Sequence, residues 1–522
     1  MTKHYNSGSQ LNQKILEGIN VLADNVASTL GPRGRNVILQ EKGKVPIITK
    51  DGVTVAGFVD LEDPFQDAGV QIIKQAASQT NMDAGDGTTT ATILARAILQ
   101  NAQRYISSGA APIELKRGID KAVSQVVQSL KKMAIPISSM EDISHIATIS
   151  ANNDPFLGKL ISRAVDSAGK DGAITVEESR SRETTLDLVE GFIFNSGYAA
   201  SAFVTDERRR MILYEDPLLV VTDEKIENVQ EIFSILELAA REARPLIFIA
   251  SEIEGQALAA MIMNAIRGTL KVAAIKAPSY GTERNNILRD LALSVGATFI
   301  SRADGKRLQD AKLKDFGTAQ KIEITRYQTT IVGGNGDPDT IESRVQSLKE
   351  EVIHEENLHE CEKIQDRIAR LASGIAVIQI GAPTEIEMTE KKHRIEDALE
   401  AVKSAQLEGI VPGGGVALLR AANGIDINPD NADQQLGAKI LAQAIVEPIR
   451  QMALNAGESP DLILEKIKTY DDNSGWDFVK GEIVDMMDAG IVDPVKVTRT
   501  ALQNAASVAG ILITTNHAII QK

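Results

Sequence analysis

Apolar positions recur at helical spacing towards both ends of the chain. One such stripe runs over residues 11–30 and stops at a Gly-Pro pair, a combination that ends helices. After this helix, two short runs around a glycine predict a pair of strands at 36–40 and 45–49. The other predicted helices cover 64–82, 88–107 and 495–511, with further helices starting near Ile113 and Glu385.

The middle of the chain carries a different pattern, in which short apolar runs alternate with helical stripes. The runs are residues 218–221, 246–250, 272–275 and 298–300, and the stripes are 226–242, 254–268 and 284–295. Strand–helix alternation of this kind is typical of an α/β layer with parallel strands. A hairpin over 321–332 and two charge-rich helices over 337–372 follow. The pattern therefore predicts helical ends around an α/β middle.

Composition narrows the class of protein. The chain has 522 residues, 43% hydrophobic and 24% charged, which predicts a soluble protein of two to four domains. A net charge of −15 argues against nucleic acid as the main partner, because phosphate backbones attract a Lys/Arg surplus. The one cysteine, Cys361, excludes a disulfide within the chain and fits a reducing compartment. The start is polar and no apolar run is long enough for a membrane span, so we expect a cytoplasmic location and no membrane partner.

The string DAGDGTTT at residues 83–90 is the strongest candidate for chemistry. Its glycines allow backbone N–H groups to turn towards one anion, and its threonines open a predicted helix whose N-terminus favours negative charge. Asp86 would repel a phosphate unless a cation lay between them, so it is a natural Mg²⁺ ligand. Taken alone, such a string is explained more simply as a glycine turn with a threonine cap and nothing bound.

Three further elements are candidates for the same site. TLGPRG at residues 29–34 is by default a helix stop, and KDGVTV at 50–55 is by default a loop, although Asp51 could act on an attacking water. The three glycines at 413–415 fit either the close approach of a ligand or a flexible hinge. Asp397 has the local pattern of one more solvated carboxylate in a charged helix.

Together and in this order, these elements resemble the group I chaperonins, the GroEL type, over nearly the whole chain. Further matching strings are VAAIKAP at 272–278, residues 385–399, residues 413–418, DPVKVTR at 493–499 and AASVAG at 505–510. The resemblance implies a multidomain α and α/β subunit with three domains on an out-and-back chain. These are an equatorial ATP-binding and ring-forming domain (1–132 and 408–522), an intermediate domain (133–189 and 376–407) and an apical substrate-binding domain (190–375). Hinges are expected near Pro136 with Gly409 and near Gly191 with Gly374.

The resemblance also implies an ATP site and a reaction. The residues expected to contact the nucleotide are Thr29, Leu30, Gly31, Pro32, Lys50, Asp86, Gly87, Thr88, Thr89, Thr90, Gly414, Asp477, Phe478, Val479 and Asp493. Asp86 is the expected Mg²⁺ ligand, K⁺ is a further candidate cation, and Asp397, assisted by Asp51, is expected to polarise the water that attacks ATP. The expected chemistry is in-line phosphoryl transfer to water, coupled to closure of the intermediate domain.

The apical domain is expected to bind non-native protein. Phe233 and Leu236 lie three apart on one predicted helix, and Leu258, Ile262 and Met263 share a face of the next. Without the resemblance, these would be ordinary core positions. Positions matching the family's substrate and co-chaperonin surface are Tyr198, Phe203 and Asn264.

Several positions depart from the family pattern. The string DFV at 477–479 stands where the family has Asn-Ala-Ala on the adenine side, which predicts a reshaped base pocket. Ala200 and Ala202 replace a Ser and a Tyr, which predicts weaker binding of substrate or co-chaperonin. Arg450 is present but its acidic partner position is Ser459, which predicts weaker contacts between rings. The Gly/Met-rich tail of the family is missing, so we do not expect a cavity floor made of such tails. These departures suggest a divergent, specialised or virus-encoded member.

Two functions from different classes follow. The first is an ATP-hydrolysing foldase that encloses non-native polypeptides in a homo-oligomeric ring, single or double, with a co-chaperonin as a candidate partner. The resemblance implies seven subunits in each ring. The second is a ring-shaped binding scaffold whose ATPase is weak or regulatory. Retention of Asp51, Asp86 and Asp397 favours the first, and the altered 477–479 string keeps the second open. A metabolic enzyme built on the middle α/β layer has little support, because no glycine-rich turn follows its strands where a nucleotide fold needs one.

Overall fold

The computed structural model describes residues 3–43, 46–168, 174–179, 181–354, 357–372 and 374–521. The chain divides into two compact units. The first unit contains 1–163, 178–184 and 380–522, and the second contains 164–177 and 185–379. The segment predicted as apical falls within the second unit, and the segments predicted as equatorial fall within the first. The boundary between the equatorial and intermediate segments stays a prediction.

The N-terminal part of the first unit is mainly helical. Its strands and helices are β1 (Lys3–Ser7), α1 (Gly8–Ala27), β2 (Val37–Leu39), β3 (Ile47–Thr49), α2 (Gly52–Phe58), α3 (Pro64–Ala84), α4 (Thr88–Ser107), α5 (Pro112–Met133), α6 (Met140–Ser150) and α7 (Pro155–Ala168). The predicted helices and the β2–β3 pair are confirmed here, although Val45 of the predicted second strand lies outside the described residues.

The second unit is an α/β unit. Its strands and helices are β4 (Ile174–Glu178), β5 (Thr185–Phe194), β6 (Ile212–Glu215), β7 (Leu218–Val221), β8 (Lys225–Ile226), α8 (Val229–Glu242), β9 (Leu246–Ala250), β10 (Glu252–Ile253), α9 (Gly255–Arg267), β11 (Val272–Lys276), α10 (Gly281–Ser294), β12 (Gly317–Ile324), β13 (Thr329–Gly334), α11 (Pro338–His354), α12 (Leu358–Ala372) and β14 (Gly374–Ile380). Within the described residues, the main sheet has the order β11-β9-β7-β12-β13-β5-β14-β4, and β6 pairs with β12 beside that path.

The strand directions match the prediction only in part. β7, β9 and β11 are parallel and buried on both faces, as their unbroken apolar runs predict. β12 pairs antiparallel with β7 and with β13, so the sheet is mixed rather than parallel. The predicted strand at 298–300 is wrong, because only Ile300 pairs, through an isolated bridge to Thr222.

The C-terminal part returns to the first unit. Its elements are α13 (Glu385–Glu408), β15 (Ile410–Pro412), α14 (Val416–Ala422), α15 (Ala432–Ala444), α16 (Glu447–Ala456), α17 (Pro460–Lys468), β16 (Ser474–Asp477), β17 (Glu482–Asp485), β18 (Val492–Pro494), α18 (Val495–Thr514) and β19 (His517–Gln521). Helix α18 packs against α3, α4 and α5, and α15 packs against α5, around a core that includes Leu22, Ile98, Leu115, Leu441 and Leu502. This core fixes the N-terminus of α4, where the 83–90 string lies.

Two pairings in the first unit join segments that are distant in sequence. Strand β19 pairs antiparallel with β1, so residues predicted only as a tail form a strand. Near the predicted hinge, Ile135 and Ile410 exchange two backbone hydrogen bonds of 2.9 and 2.8 Å. Gly409 has a φ of +81°, and a Cβ there would lie 2.6 Å from the carbonyl oxygen of Ile135. Only glycine therefore fits at this crossing.

None of the helices in the described ranges combines the length and apolarity needed to cross a lipid bilayer.

Candidate nucleotide-binding site

A cavity of about 540 Å³ lies in the first unit and is the meeting point of the predicted site. Every residue predicted to contact the nucleotide or to act on it lines this cavity, from Thr29 on one side to Asp397 and Asp493 on the others. These residues come from seven separate segments of the chain. The fold thus brings together what the sequence could only group by resemblance, while the individual roles stay predictions.

One end of the cavity is built from the start of α4 and two neighbouring turns. Gly87 precedes α4 with a φ of +86°, and no side chain caps the helix there. The first N–H groups of a helix have no partner within the helix, so this end offers donors and a positive dipole end to an anion. Thr89 Oγ1 lies 3.5 Å from Thr29 Oγ1, which places the 29–32 turn against the first turn of α4. This is the end suited to phosphate.

Two half-buried carboxyl groups near the same end repel each other. Burial raises the pKa of Asp86 to about 6; the N–H of Gly87, which donates to Asp86 Oδ1 at 2.6 Å, opposes the rise, and the charge of Asp51 adds to it. Burial also raises the pKa of Asp493 to about 7, with the charge of Asp86 as the second cause. Carboxyl groups in this arrangement favour a proton or a cation between them.

The two predicted catalytic carboxylates are held differently. Asp51 caps α2, since its carboxylate accepts hydrogen bonds from the N–H groups of Val53 at 3.2 Å and Thr54 at 3.1 Å and from the Thr54 hydroxyl. This geometry alone accounts for an aspartate before Gly52. Asp397 lies half-buried in the middle of α13, on the cavity wall.

Lys50 is the cation at the phosphate end. Burial lowers the pKa of its ammonium group, Glu390 opposes the shift, and the positive charge of Arg394 adds to it. Its ammonium group forms no ion pair or hydrogen bond with any residue that the structure describes. A desolvated and unpaired ammonium group is prepared to bind an anion.

At the opposite end, predicted to face the base, several polar groups of residues 477–479 already have hydrogen-bond partners. Asp477 Oδ1 accepts hydrogen bonds from the N–H groups of Val479 at 2.8 Å and Lys480 at 3.2 Å. Arg33 donates to the carbonyl oxygens of Phe478 at 3.3 Å and Val479 at 3.1 Å. Asp477 therefore shapes a turn, and the backbone of 477–479 has fewer groups left for a base.

The glycines at 413–415 have a packing role that the structure shows directly. Gly414 and Gly415 have φ values of +62° and +78°, and their N–H groups donate to Asp493. A Cβ at Gly413 would lie 2.9 Å from the carbonyl oxygen of Ile491. The backbone is therefore close to β18 and fixed by it, which argues against the flexible hinge that the sequence left open.

The predicted substrate-binding residues lie in the second unit. Phe233 on α8 is 63% exposed and Met263 on α9 is 46% exposed. The flanking positions Leu236, Leu258, Ile262 and Tyr198 are partly buried against the core of the unit. Phe203 is only 2% exposed and belongs to that core. Asn264 is used locally, donating to the Ala260 carbonyl oxygen at 2.8 Å and accepting from the Thr269 hydroxyl at 2.8 Å.

The sequence reasoning missed several residues on the wall of the nucleotide cavity. Arg394 lies one helical turn before Asp397, so its spacing on α13 was the available signal. Asn152 and Asn153 have φ values near +60°, which is uncommon outside glycine, but nothing in the sequence marks such a pair. Trp476 is 8% exposed and its Nε1 has no hydrogen-bond partner among the described residues.

The described side chains form no ready-made metal site of their own. Within those ranges no three His, Cys, Asp or Glu side chains lie close enough together to hold a metal ion. Mg²⁺ commonly uses one or two carboxylates and completes its shell with water and phosphate, so this arrangement is compatible with a Mg²⁺ site shared with a nucleotide.

A helical unit interrupted by an α/β unit, with a glycine- and threonine-lined cavity at a helix N-terminus, defines a chaperonin-type subunit. The family model described as TCP-1/cpn60 chaperonin family matches residues 22–522, and the chain belongs to this family. Among solved structures, it is similar to the chaperonin gp146 from the bacteriophage EL 2 (Pseudomonas aeruginosa), crystallised in the presence of ATP-BeFx in two forms. The TM-score is 0.63 for both forms, the identities are 24% and 23%, and the alignments cover 99% of each chain. This likeness establishes the GroEL-like fold class predicted from the sequence.

Proposed function

We propose that the chain is an ATP-hydrolysing chaperonin subunit that binds and encloses non-native proteins. The observation that carries the proposal is the gathering of all predicted nucleotide contacts and both candidate catalytic carboxylates on the wall of one cavity. One end of that cavity has an uncapped helix N-terminus and an unpaired lysine, which suits a polyphosphate.

The residues present also suit Mg²⁺. Asp86 would hold the ion. Burial is the main cause of its raised pKa and the neighbouring carboxylates add to it, so a divalent cation would offset both the desolvation of its charge and the repulsion. When bound, Mg²⁺ would neutralise part of the charge on the phosphates.

The chain's own groups would position the reactants. Water attacks the γ-phosphorus, the bond to the β–γ bridging oxygen breaks, and ADP leaves with the electron pair. Asp397 would orient that water and receive or relay its proton, and Lys50 would stabilise charge on the phosphate oxygens. The carboxylate of Asp51 is held in place because it caps α2, and from this fixed position it would assist Asp397.

The test compares the native chain with Asp397→Ala. We expect Mg²⁺-dependent turnover in the native chain and a fall of at least ~100-fold in the variant, with ATP affinity retained, because a positioned base contributes about 10²–10⁴ in rate. Binding of a non-hydrolysable ATP analogue, measured by calorimetry, reports affinity separately. Glu385→Ala, on the same helix and off the cavity wall, is the control. Equal turnover in the native chain and Asp397→Ala would refute the assigned role.

The protein-binding face would lie on α8 and α9. Phe233 and Met263 are exposed on two helices that pack against each other, and aliphatic side chains of the same helices are partly buried. An exposed aromatic ring and a flexible thioether suit segments of varied sequence. The partners we propose are therefore unfolded polypeptides, with a co-chaperonin as a competitor for the same face.

Assembly would produce a homo-oligomeric ring, seven-membered by the family resemblance. Arg450 is matched inside its own chain, by Asp461 at 2.6 Å and Glu447 at 3.7 Å. This internal pairing supports weak contacts between rings and hence a single ring. Electron microscopy with and without ATP tests this, and a stable back-to-back double ring in both conditions would contradict it.

A second candidate, a ring-shaped scaffold with a weak or regulatory ATPase, is favoured by the base end of the cavity. There, Asp477 and Arg33 already satisfy the groups on the 477–479 backbone. Turnover that stays near background in the native chain, with protein binding intact, would select this function.

A further inference from the structure

A second cavity, of about 650 Å³, lies beside the nucleotide cavity in the first unit. The two cavities share four wall residues: Lys50, Asn152, Glu390 and Arg394. Lys50 directly precedes the turn at the phosphate end, so the shared wall lies at that end and not at the base end. A small anion released there would reach the second cavity by passing these four residues.

The wall of the second cavity carries three cations, two of which have no ion-pair or hydrogen-bond partner among the described residues. Besides Lys50, its wall includes the exposed Arg35, whose guanidinium group forms no ion pair or hydrogen bond with a described residue. Arg394 is the third cation. Its Nε is buried without a hydrogen-bond partner, and its terminal nitrogens lie 2.6 Å from Glu390 and 3.6 Å from Asp154. Cations left short of partners at a cavity wall are sites for an anion.

Two acids on the same wall limit how tightly an anion can be held. Glu387 already interacts with Lys391 at 3.4 Å, so its charge is partly offset. Glu390 is the direct competitor, because it occupies Arg394 on the side that faces both cavities. An ion pair between Glu390 and Arg394 can open for an incoming anion and re-form after the anion has left.

We propose that the second cavity is the exit for inorganic phosphate after ATP hydrolysis. Lys50 and Arg394 transfer the phosphate across the shared wall, and Glu390 displaces it by recapturing Arg394. ADP, held at the base end, leaves by another route. This inference rests on the proposed ATPase, since the phosphate is its product. No bond is made or broken in the transfer.

The structural alternative is that Glu390 and Arg394 simply brace α13. The two explanations predict different directions of change in phosphate binding when one partner is removed. If the pair only braces the helix, removing either partner perturbs the site in the same direction. If Glu390 competes with phosphate for Arg394, removing Arg394 weakens phosphate binding and removing Glu390 strengthens it.

The experiment uses the full-length assembled protein loaded with ADP and measures binding of inorganic phosphate by equilibrium dialysis. We expect Arg394→Gln to lower phosphate affinity roughly tenfold, the scale of one lost charge-assisted hydrogen bond, and Glu390→Gln to raise it. In single-turnover experiments, rapid quench measures ATP hydrolysis and a fluorescent phosphate sensor measures phosphate release. With Glu390→Gln, release should lag behind hydrolysis.

Lys392→Gln is the matched control, since Lys392 lies on the same helix, pairs with Glu178 at 2.8 Å and lines neither cavity. It should leave phosphate affinity unchanged. Three results would refute the proposed phosphate exit. These are equal shifts of phosphate affinity in the same direction in Arg394→Gln and Glu390→Gln, no shift in either variant, or the same loss of affinity in Lys392→Gln. Absence of ATP turnover in the native chain would instead refute the proposed function, and the exit with it.

Discussion

Gly87, the residue before α4, provides the sharpest test of the phosphate end. Its φ of +86° is a left-handed conformation, and a Cβ built on it would lie 2.7 Å from Cγ1 of Val497 on α18. Gly87→Ala therefore adds two separate perturbations, backbone strain and a steric clash. Because the clash is with the Val497 side chain of a packed helix, either that side chain or the first turn of α4 must shift to relieve it.

The magnitude of each perturbation can be worked from the structure. A left-handed conformation costs a non-glycine residue about 1–2 kcal/mol, and overpacking by one methyl group costs about 1–3 kcal/mol. Only the clash moves the N–H groups that face the cavity. Losing one good hydrogen bond to phosphate costs about 1.5–3 kcal/mol, so ATP affinity should fall by about 10-fold or more.

Gly109, just beyond the other end of α4, supplies the control. It has a φ of +96°, and a Cβ there would meet nothing within 4 Å. Gly109→Ala therefore carries comparable backbone strain without the clash, and should reduce stability while leaving ATP affinity unchanged. The double variant Gly87→Ala with Val497→Ala removes the clash and should recover part of the affinity.

Denaturant midpoints report stability, and calorimetry with a non-hydrolysable analogue reports affinity. Equal ATP affinity in Gly87→Ala and Gly109→Ala would refute the reasoning, because it would mean that the position of the α4 N-terminus does not matter for the nucleotide.

Three further outcomes are expected. The hydrogen bond from Arg499 is the chief cause that holds the pKa of Glu408 below its usual range. The pair therefore stabilises the fold at pH values above the pKa of glutamate in the unfolded chain. This contribution is lost as pH falls through the lower pKa of the folded state. Glu408→Gln should thus cost about 1 kcal/mol in denaturant unfolding at neutral pH and nothing in strong acid, whereas a pH-independent cost would contradict the pairing. Phe233→Ser should weaken capture of a chemically unfolded protein several-fold, measured by suppression of aggregation, while Ile353→Ser, which removes a 77% exposed side chain from a different helix, should not; equal loss in both would exclude the α8–α9 face. Arg33→Met frees two carbonyl oxygens at the base end and should change discrimination between ATP and GTP, which competition binding measures; unchanged discrimination would place the base elsewhere.

The N-terminus of α4, the candidate phosphate end of the cavity, was predictable because its sequence pattern is local. Two glycines and three threonines at the start of a helix mark a turn with free N–H groups, and the structure has α4 start at Thr88 as expected. Its partners are not local. Asp397 and Asp493 reach the cavity only because α13 and β18 pack where they do, and resemblance rather than spacing singled them out.

The wrong and missing predictions also depend on partners that are distant in sequence. The run at 298–300 was too short to show that only Ile300 would find a partner. Strand β19 has exposed side chains on one face and forms because β1, far away in sequence, offers it an edge. At the base end, the departure at 477–479 was visible, but the two hydrogen bonds from Arg33 that close it depend on the turn after α1.

Trp476 has a further consequence. It is the only tryptophan in the chain, it lies on the wall of the nucleotide cavity, and the Lys466 ammonium group sits 4.6 Å from the centre of its ring. Excitation at the red edge of the protein absorption selects tryptophan, so each subunit emits from a single, buried position at the base end. Under the proposed function, this tryptophan would report nucleotide occupancy and changes in local charge optically, with no label attached.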